Sequence, residues 1–409
     1  MKLAVLLFAV VFLGLPECVK ADKVTDWNAI GVTSATNAGR GAPAIGIDMA
    51  YVHIAIYDAV NAIDGRCSIF AVSSSRRRAH SSKEAAVVAA AYYVLRMLHP
   101  TQIAYLDDQY ATSMATIPDS RAKTDGIAIG FDVALQLLSS RTGDGRDSVI
   151  PYTPGTGPGV WNPTPPANSP AQFVWVAYMR PFAMRSASQF RPGPPPALNS
   201  QEWADDLNEV KTMGAVNSAS RTPEQTEIAR FYLDSPNVQA ARGYRALALE
   251  QGMDLADNAR LFAILYVSVA DALIANFDSK YYYNSWRPVT AIRNADADDN
   301  SNTQADPAWL PLAPTPPFPE YLGAHSTLTS AYCEALVRFF GTKKIHFVLT
   351  STTTGTTHEF NNTDDIVKEV NNARVWSGFH FRTSDVRGAA LGKRVAKYVA
   401  RNYFRRFDN

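Results

Sequence analysis

The chain has 409 residues, 46% of them hydrophobic and 19% charged, which supplies a large core and excludes a disordered chain. Its formal net charge is +1 and its basic residues are scattered rather than gathered into a stripe, which argues against nucleic acid or an anionic membrane as partner and favours a small molecule. No charged or Gly/Ser-rich linker divides the sequence, so one large domain is expected over residues 22–409.

Residues 1–21 read as a signal peptide: Lys2, an apolar run from Leu3 to Leu15, then Pro16, with small residues Val19 and Ala21 ahead of a cleavage point. The run is shorter than the roughly 20 residues that span a bilayer, and no later segment reads as a span. A secreted, extracellular chain starting at Asp22 is expected. Cys18 leaves with the leader, while Cys67 and Cys333 stay either as a bridge or as two buried thiols. Asn361-Asn362-Thr363 is a glycosylation sequon.

Helical periodicity dominates from there. Met49, Val52, Ile56, Val60 and Ile63 recur at spacings of three and four, which predicts a helix over 49–63. A second is expected from Ser82, a capping residue, to Leu98, with Pro100 as a stop. Residues 151–200 carry Pro-rich stretches that cannot be helical, a long irregular excursion of the kind that serves as a lid or wrap, or as a plain surface loop. Thr222-Pro223-Glu224-Gln225 starts another helix with a capping box. Leu261 to Phe277 is apolar all round and predicts a buried helix.

Chemistry concentrates in three later blocks. In the first, Lys280 and Arg287 are seven apart, which on one helix is two turns, so both cations should project from one face amid tyrosines and Trp286, without adjacent acids. In the second, Pro316-Pro317-Phe318-Pro319 leads through Gly323-Ala324 to His325 at a helix start, where backbone N–H groups and the helix dipole can meet an anion. In the third, Arg374 and His380 are six apart, which a straight helix does not bring together and a bend near Gly378 would. Taken one by one, each is more simply a solvated cation or a structural histidine. Together, a lysine, two arginines and two histidines make a kit for a tetrahedral oxyanion: cations neutralise it, one imidazole attacks or ligates its centre, and the other moves a proton. Gly388 to Arg394 lacks the spacing of a phosphate loop, and neither H-E-x-x-H nor C-x-x-C occurs.

In spacing and order the blocks resemble the K-x6-RP, PSGH and SR-x5-H motifs of vanadium-dependent haloperoxidases and the type 2 phosphatidic acid phosphatase superfamily. Residues 49–63 (MAYVHIAIYDAVNAI) and 270–292 (ADALIANFDSKYYYNSWRPVTAI) also resemble helices of the secreted and bacterial haloperoxidase-related branch. The resemblance implies a mainly α, helical-bundle fold and vanadate (orthovanadate) as cofactor. Lys280, Arg287 and Arg374, with Gly323 and Ala324, would hold its oxygens. His380 would be the axial metal ligand, His325 the acid–base residue, and Phe318 part of a halide pocket. Hydrogen peroxide and halide would then be the substrates of a haloperoxidase. A phosphate ester would be the substrate of a phosphatase using His380 as nucleophile, and a decayed site would leave a non-catalytic binding protein. The sequence departs from the motifs where Gly323-Ala324 replaces Ser-Gly and Ala373 replaces Ser. The lost hydroxyl would weaken oxyanion binding by about 1–3 kcal/mol.

Overall fold

The computed structural model describes residues 22–74 and 79–407, and the expected leader lies outside the described residues. Thirteen α-helices occur among them: α1 (Lys23–Asn37), α2 (Ala42–Asp64), α3 (Lys83–Leu98), α4 (Ile103–Ala115), α5 (Arg121–Ser140), α6 (Gln201–Met213), α7 (Pro223–Phe231), α8 (Pro236–Gln251), α9 (Leu255–Tyr283), α10 (Pro288–Arg293), α11 (Ala324–Phe340), α12 (Thr363–Trp376) and α13 (Arg382–Asn402). One hairpin, β1 (Phe347–Thr350) with β2 (Thr357–Phe360), pairs antiparallel with Phe347 opposite Phe360. The mainly α expectation holds.

Helix starts follow their caps. Ser82 accepts the Ala85 N–H at 3.1 Å to open α3, and Thr222 and Gln225 form a reciprocal capping box on α7. The stripe from Met49 to Ile63 is buried as expected, but its helix begins earlier, at Ala42, because Pro43 suits the first turn. Cys67 and Cys333 are both buried free thiols.

The apolar segment at Leu261 is longer than its core: α9 runs 29 residues and, among the described residues, is the one helix long and apolar enough to cross a membrane. This corrects the expectation that no later segment would qualify. Nearly all of its apolar window is buried within the protein, with α2 packed on it from one side and α11 and α13 from another. Leu261, Phe262, Leu265, Leu273 and Phe277 are essentially inaccessible, each adding about 1.5–3 kcal/mol over an exposed position.

The crossing of α11 and α13 is set by glycine. A Cβ at Gly392 would stand 2.0 Å from the Thr327 carbonyl oxygen, and one at Gly388 would stand 2.8 Å from that of Gly323. Small residues at i and i+4 on α13 therefore let it lie directly on the first turns of α11. That contact holds the segments carrying His325 and His380 beside each other.

The irregular excursion wraps the outer side of α9 instead of hanging free. Buried Asp271 accepts the backbone N–H groups of Phe182, Ala183 and Met184 at 2.6, 2.8 and 2.7 Å. Arg191 grips Asp278 with two bonds of 2.7 Å, and the Tyr321 hydroxyl donates to the Gly193 carbonyl. Further back, Phe173 sits at φ 59, a left-handed conformation that is costly for an aromatic residue. Its ring packs edge-on to Phe277 and Phe318.

Gly392→Ala is expected to destabilise the protein by about 1–3 kcal/mol through overpacking, read as a lowered urea midpoint. Gly193→Ala, where a Cβ meets nothing within 4 Å, should leave the midpoint unchanged.

Candidate oxyanion site

Lys280 lies near the end of α9, but Arg287 is not on that helix. The helix stops at Tyr283, Asn284 turns left-handed at φ 49, and Arg287 becomes the cap of α10. The shared helix face expected from a spacing of seven is therefore replaced by a chain reversal. Convergence survives, with Lys280 Nζ and Arg287 Cζ at 5.2 and 4.9 Å from the centroid of the Phe318 ring.

Both cations are fully buried. Lys280 Nζ donates to the carbonyls of Pro319 and Glu320 at 3.0 and 2.8 Å and to that of Leu322. Arg287 donates from Nε to the Phe318 carbonyl at 2.8 Å and from Nη1 to that of Phe379 at 3.0 Å. Its Nη2 has no partner among the described residues. Arg374, on α12, gives Nη1 to the Tyr232 carbonyl at 3.1 Å, while its buried Nε also has none. Burial lowers both guanidinium pKa values to about 10 and pulls Lys280 well below its usual range, with Arg287 adding to the effect.

Gly378, at φ 76, turns the chain after α12 so that Arg374 and His380 face one cavity. His380 Nδ1 is 2.7 Å from Glu320 Oε1, which also accepts the Phe381 N–H at 3.2 Å. Nδ1 therefore carries the proton, and Nε2, 3.3 Å from Arg287 Nη1, keeps its lone pair. Burial, then Arg287 and Lys280, hold His380 far below the ordinary imidazole range. His325, in the first turn of α11, is likewise pushed down by burial and by Arg374, and its ring stands edge-on to Tyr232.

Two acids sit in this cluster, which corrects the expectation of cations without acidic neighbours. Burial raises Glu320 to about 7 against the opposing pull of Lys280 and Arg287. It also raises Asp385 well above the carboxylate range, although the Ser326 hydroxyl donates to its Oδ1 at 2.9 Å. The blocks contain Glu320 in plain view, five residues before His325, but sequence proximity does not show that its carboxyl turns toward His380.

The cavity, of about 540 Å³, is lined by Phe318, Ala324, His325, Arg374, Phe379 and His380. The excursion adds Gln172 and Phe173 to its wall, a contribution with no signal in the sequence. Gly323 stands behind it: its N–H donates to the Ser384 carbonyl at 3.2 Å, so the donor expected there is already used. A Cβ on Gly323 would fall 2.1 Å from Asp385 Oδ1, which accounts for the missing serine.

The family model described as the VCPO second helical-bundle domain matches residues 260–409, the stretch that holds Lys280, Arg287, His325, Arg374 and His380. That stretch is similar to a domain of the vanadium haloperoxidases. Vanadium chloroperoxidase of Curvularia inaequalis is 29% identical over 258 residues, covering 51% of this chain. The match spans 42% of that relative, less than half its length. The crystal structure of the first bacterial vanadium-dependent iodoperoxidase superposes with a TM-score of 0.80 at 22% identity, covering 95% of this chain and 97% of that one. A holo-type bacterial vanadium-dependent chloroperoxidase gives 0.69 at 15% identity, covering 94% and 93%. At these identities the structures establish the fold alone.

Orthovanadate and inorganic phosphate should each stabilise the protein, by about 2.7 kcal/mol at a hundredfold excess over Kd. Thermal melting reads this as an upward shift that Arg374→Ala removes.

Proposed function

We propose that the protein is a vanadate-dependent haloperoxidase, oxidising halide with hydrogen peroxide to hypohalous acid, and that residues 22–409 act as one exported unit after loss of the leader. One observation carries the reading: Arg287 Nη2 and Arg374 Nε are buried guanidinium donors without partners, beside imidazoles that burial keeps neutral. Buried charged donors left unpaired are costly, and a tetrahedral oxyanion satisfies them with its own oxygens. The donor set fits orthovanadate on those grounds.

Arg287 and Arg374 would hold its oxygens by hydrogen bonds and Ala324 would add a backbone N–H. Lys280, whose bonds go to carbonyls, would contribute charge. His380 would be the metal ligand through Nε2, with Glu320 fixing the tautomer that frees that nitrogen. Bound vanadium supplies Lewis acidity that polarises peroxide. His325, neutral at rest, would be the acid–base residue, positioned to accept a proton from incoming hydrogen peroxide and to give one back. Phe318 would border the halide, its ring lying against both Lys280 and Arg287.

A second reading, a phosphatase acting on a phosphate ester, draws on the same observation. A neutral His380 with Nε2 unprotonated is equally equipped to attack phosphorus, and His325 to protonate the leaving oxygen. Purified protein assayed with and without orthovanadate separates the two. The first predicts peroxide-dependent bromination that requires vanadate. Hydrolysis of p-nitrophenyl phosphate that vanadate abolishes would replace it with the second, and silence in both assays would leave a binding protein. His380→Ala should abolish whichever activity is found, by at least about 100-fold.

A further inference from the structure

A second cavity, of about 290 Å³, lies on the far side of Glu320. The excursion roofs it with Pro158 to Val160 and Pro195 to Leu198, while α6 and the start of α13 form its floor. Trp203, Trp286, Phe381 and Tyr283 give it aromatic walls. Trp203 stacks on Trp286 at 5.9 Å and leans on Phe381 at 4.8 Å, so the walls are braced against one another.

Its charged lining residues are both acids, Asp206 and Glu320, with no lysine or arginine among the lining residues. Glu320 is engaged with His380, but Asp206 is not matched in this way. Asp206 is 5% exposed, and its Oδ1 accepts the Thr383 N–H at 3.0 Å. Its Oδ2 has no partner, and the side chain forms no ion pair among the described residues. Burial, with Glu202 and Glu209 on the same helix, holds its carboxyl up at about 6, and Arg382, which acts on it through space, is committed to Glu209 at 2.6 Å. A second unmet group lies beside it, since Trp286 is 3% exposed and its Nε1–H finds no acceptor among the described residues. Native proteins seldom bury such groups unpaired unless a ligand or ion completes them.

We infer that this cavity is a binding site for a small arylalkylamine, whose ammonium pairs with Asp206 and whose ring lies among Trp203, Trp286 and Phe381. Charge complementarity selects a cation. The aromatic walls select a flat apolar body and add cation–π attraction. A ring hydroxyl would answer the Trp286 N–H. The reading is independent of which reaction the oxyanion site performs.

Isothermal titration of the full protein with tyramine tests it, with p-cresol as the same ring lacking the ammonium. Tyramine should bind at one site and p-cresol about tenfold or more weaker. Asp206→Asn should weaken tyramine about tenfold and leave p-cresol unchanged. Leu198→Trp, which fills the cavity from its partly exposed rim, should abolish binding with an unaltered circular-dichroism melt, and it decides the matter should Asp206→Asn not fold. No tyramine binding by the wild type, equal binding of p-cresol, or undiminished binding by either folded variant overturns the inference.

Discussion

The site depends on how buried positive charge is solvated. Taking Lys280, Arg287 and Arg374 out of water costs several kcal/mol apiece unless something replaces the lost hydration. The replacement is mostly backbone. Carbonyls of Phe318, Pro319, Glu320 and Leu322 surround Lys280 and Arg287, and those of Phe379 and Tyr232 meet the two arginines. The proline-rich run before His325 is well suited to this role, because proline has no N–H to satisfy and the segment can turn acceptors inward without burying donors. Carbonyls bring dipole but no charge, so the positive field stays available to an anion.

Buried carboxylates do the complementary work in the scaffold. Asp271 gathers the backbone N–H groups of residues 182–184, and Asp58 on α2 gathers those of Phe70, Ala71 and Val72 at 2.8, 2.9 and 3.0 Å. Each pins an irregular segment onto a core helix with three bonds from one side chain. The excursion can therefore carry no more regular structure than the short 3-10 helix Val174–Tyr178 and still place Phe173 and Gln172 in the wall of the oxyanion cavity.

What the sequence discloses and what it withholds divide along one physical line. Caps, stops and apolar stripes are local, so Ser82, Thr222 and the Leu261 segment could be read directly. The five cationic and imidazole residues could be read because their types and spacings are chemically unusual together. Pairings across long separations could not: Glu320 meets a histidine 60 residues away, and Asp271 meets backbone 87 to 89 residues away. On α5 the stripe Ile129, Val133 and Leu137 is legible, but the close approach to α3 through Gly126 and Gly130 is not, because a glycine adds no apolar signal. The shared face expected for Lys280 and Arg287 fails for a local reason of its own, because Asn284 adopts the left-handed conformation that ends α9.

Gly323 and Asp385 occupy what is in effect a single volume, because the carboxylate fills the space where a β-carbon would project. A hydroxyl-bearing residue can return to position 323 only if position 385 becomes smaller or swings aside, and Ser326 would then lose the acceptor it now has. The three positions form one exchangeable unit in which the oxyanion's neighbourhood is either hydroxyl-rich or carboxylate-braced. Drift from one form to the other has to pass through paired replacements, with single steps either crowded or hollow.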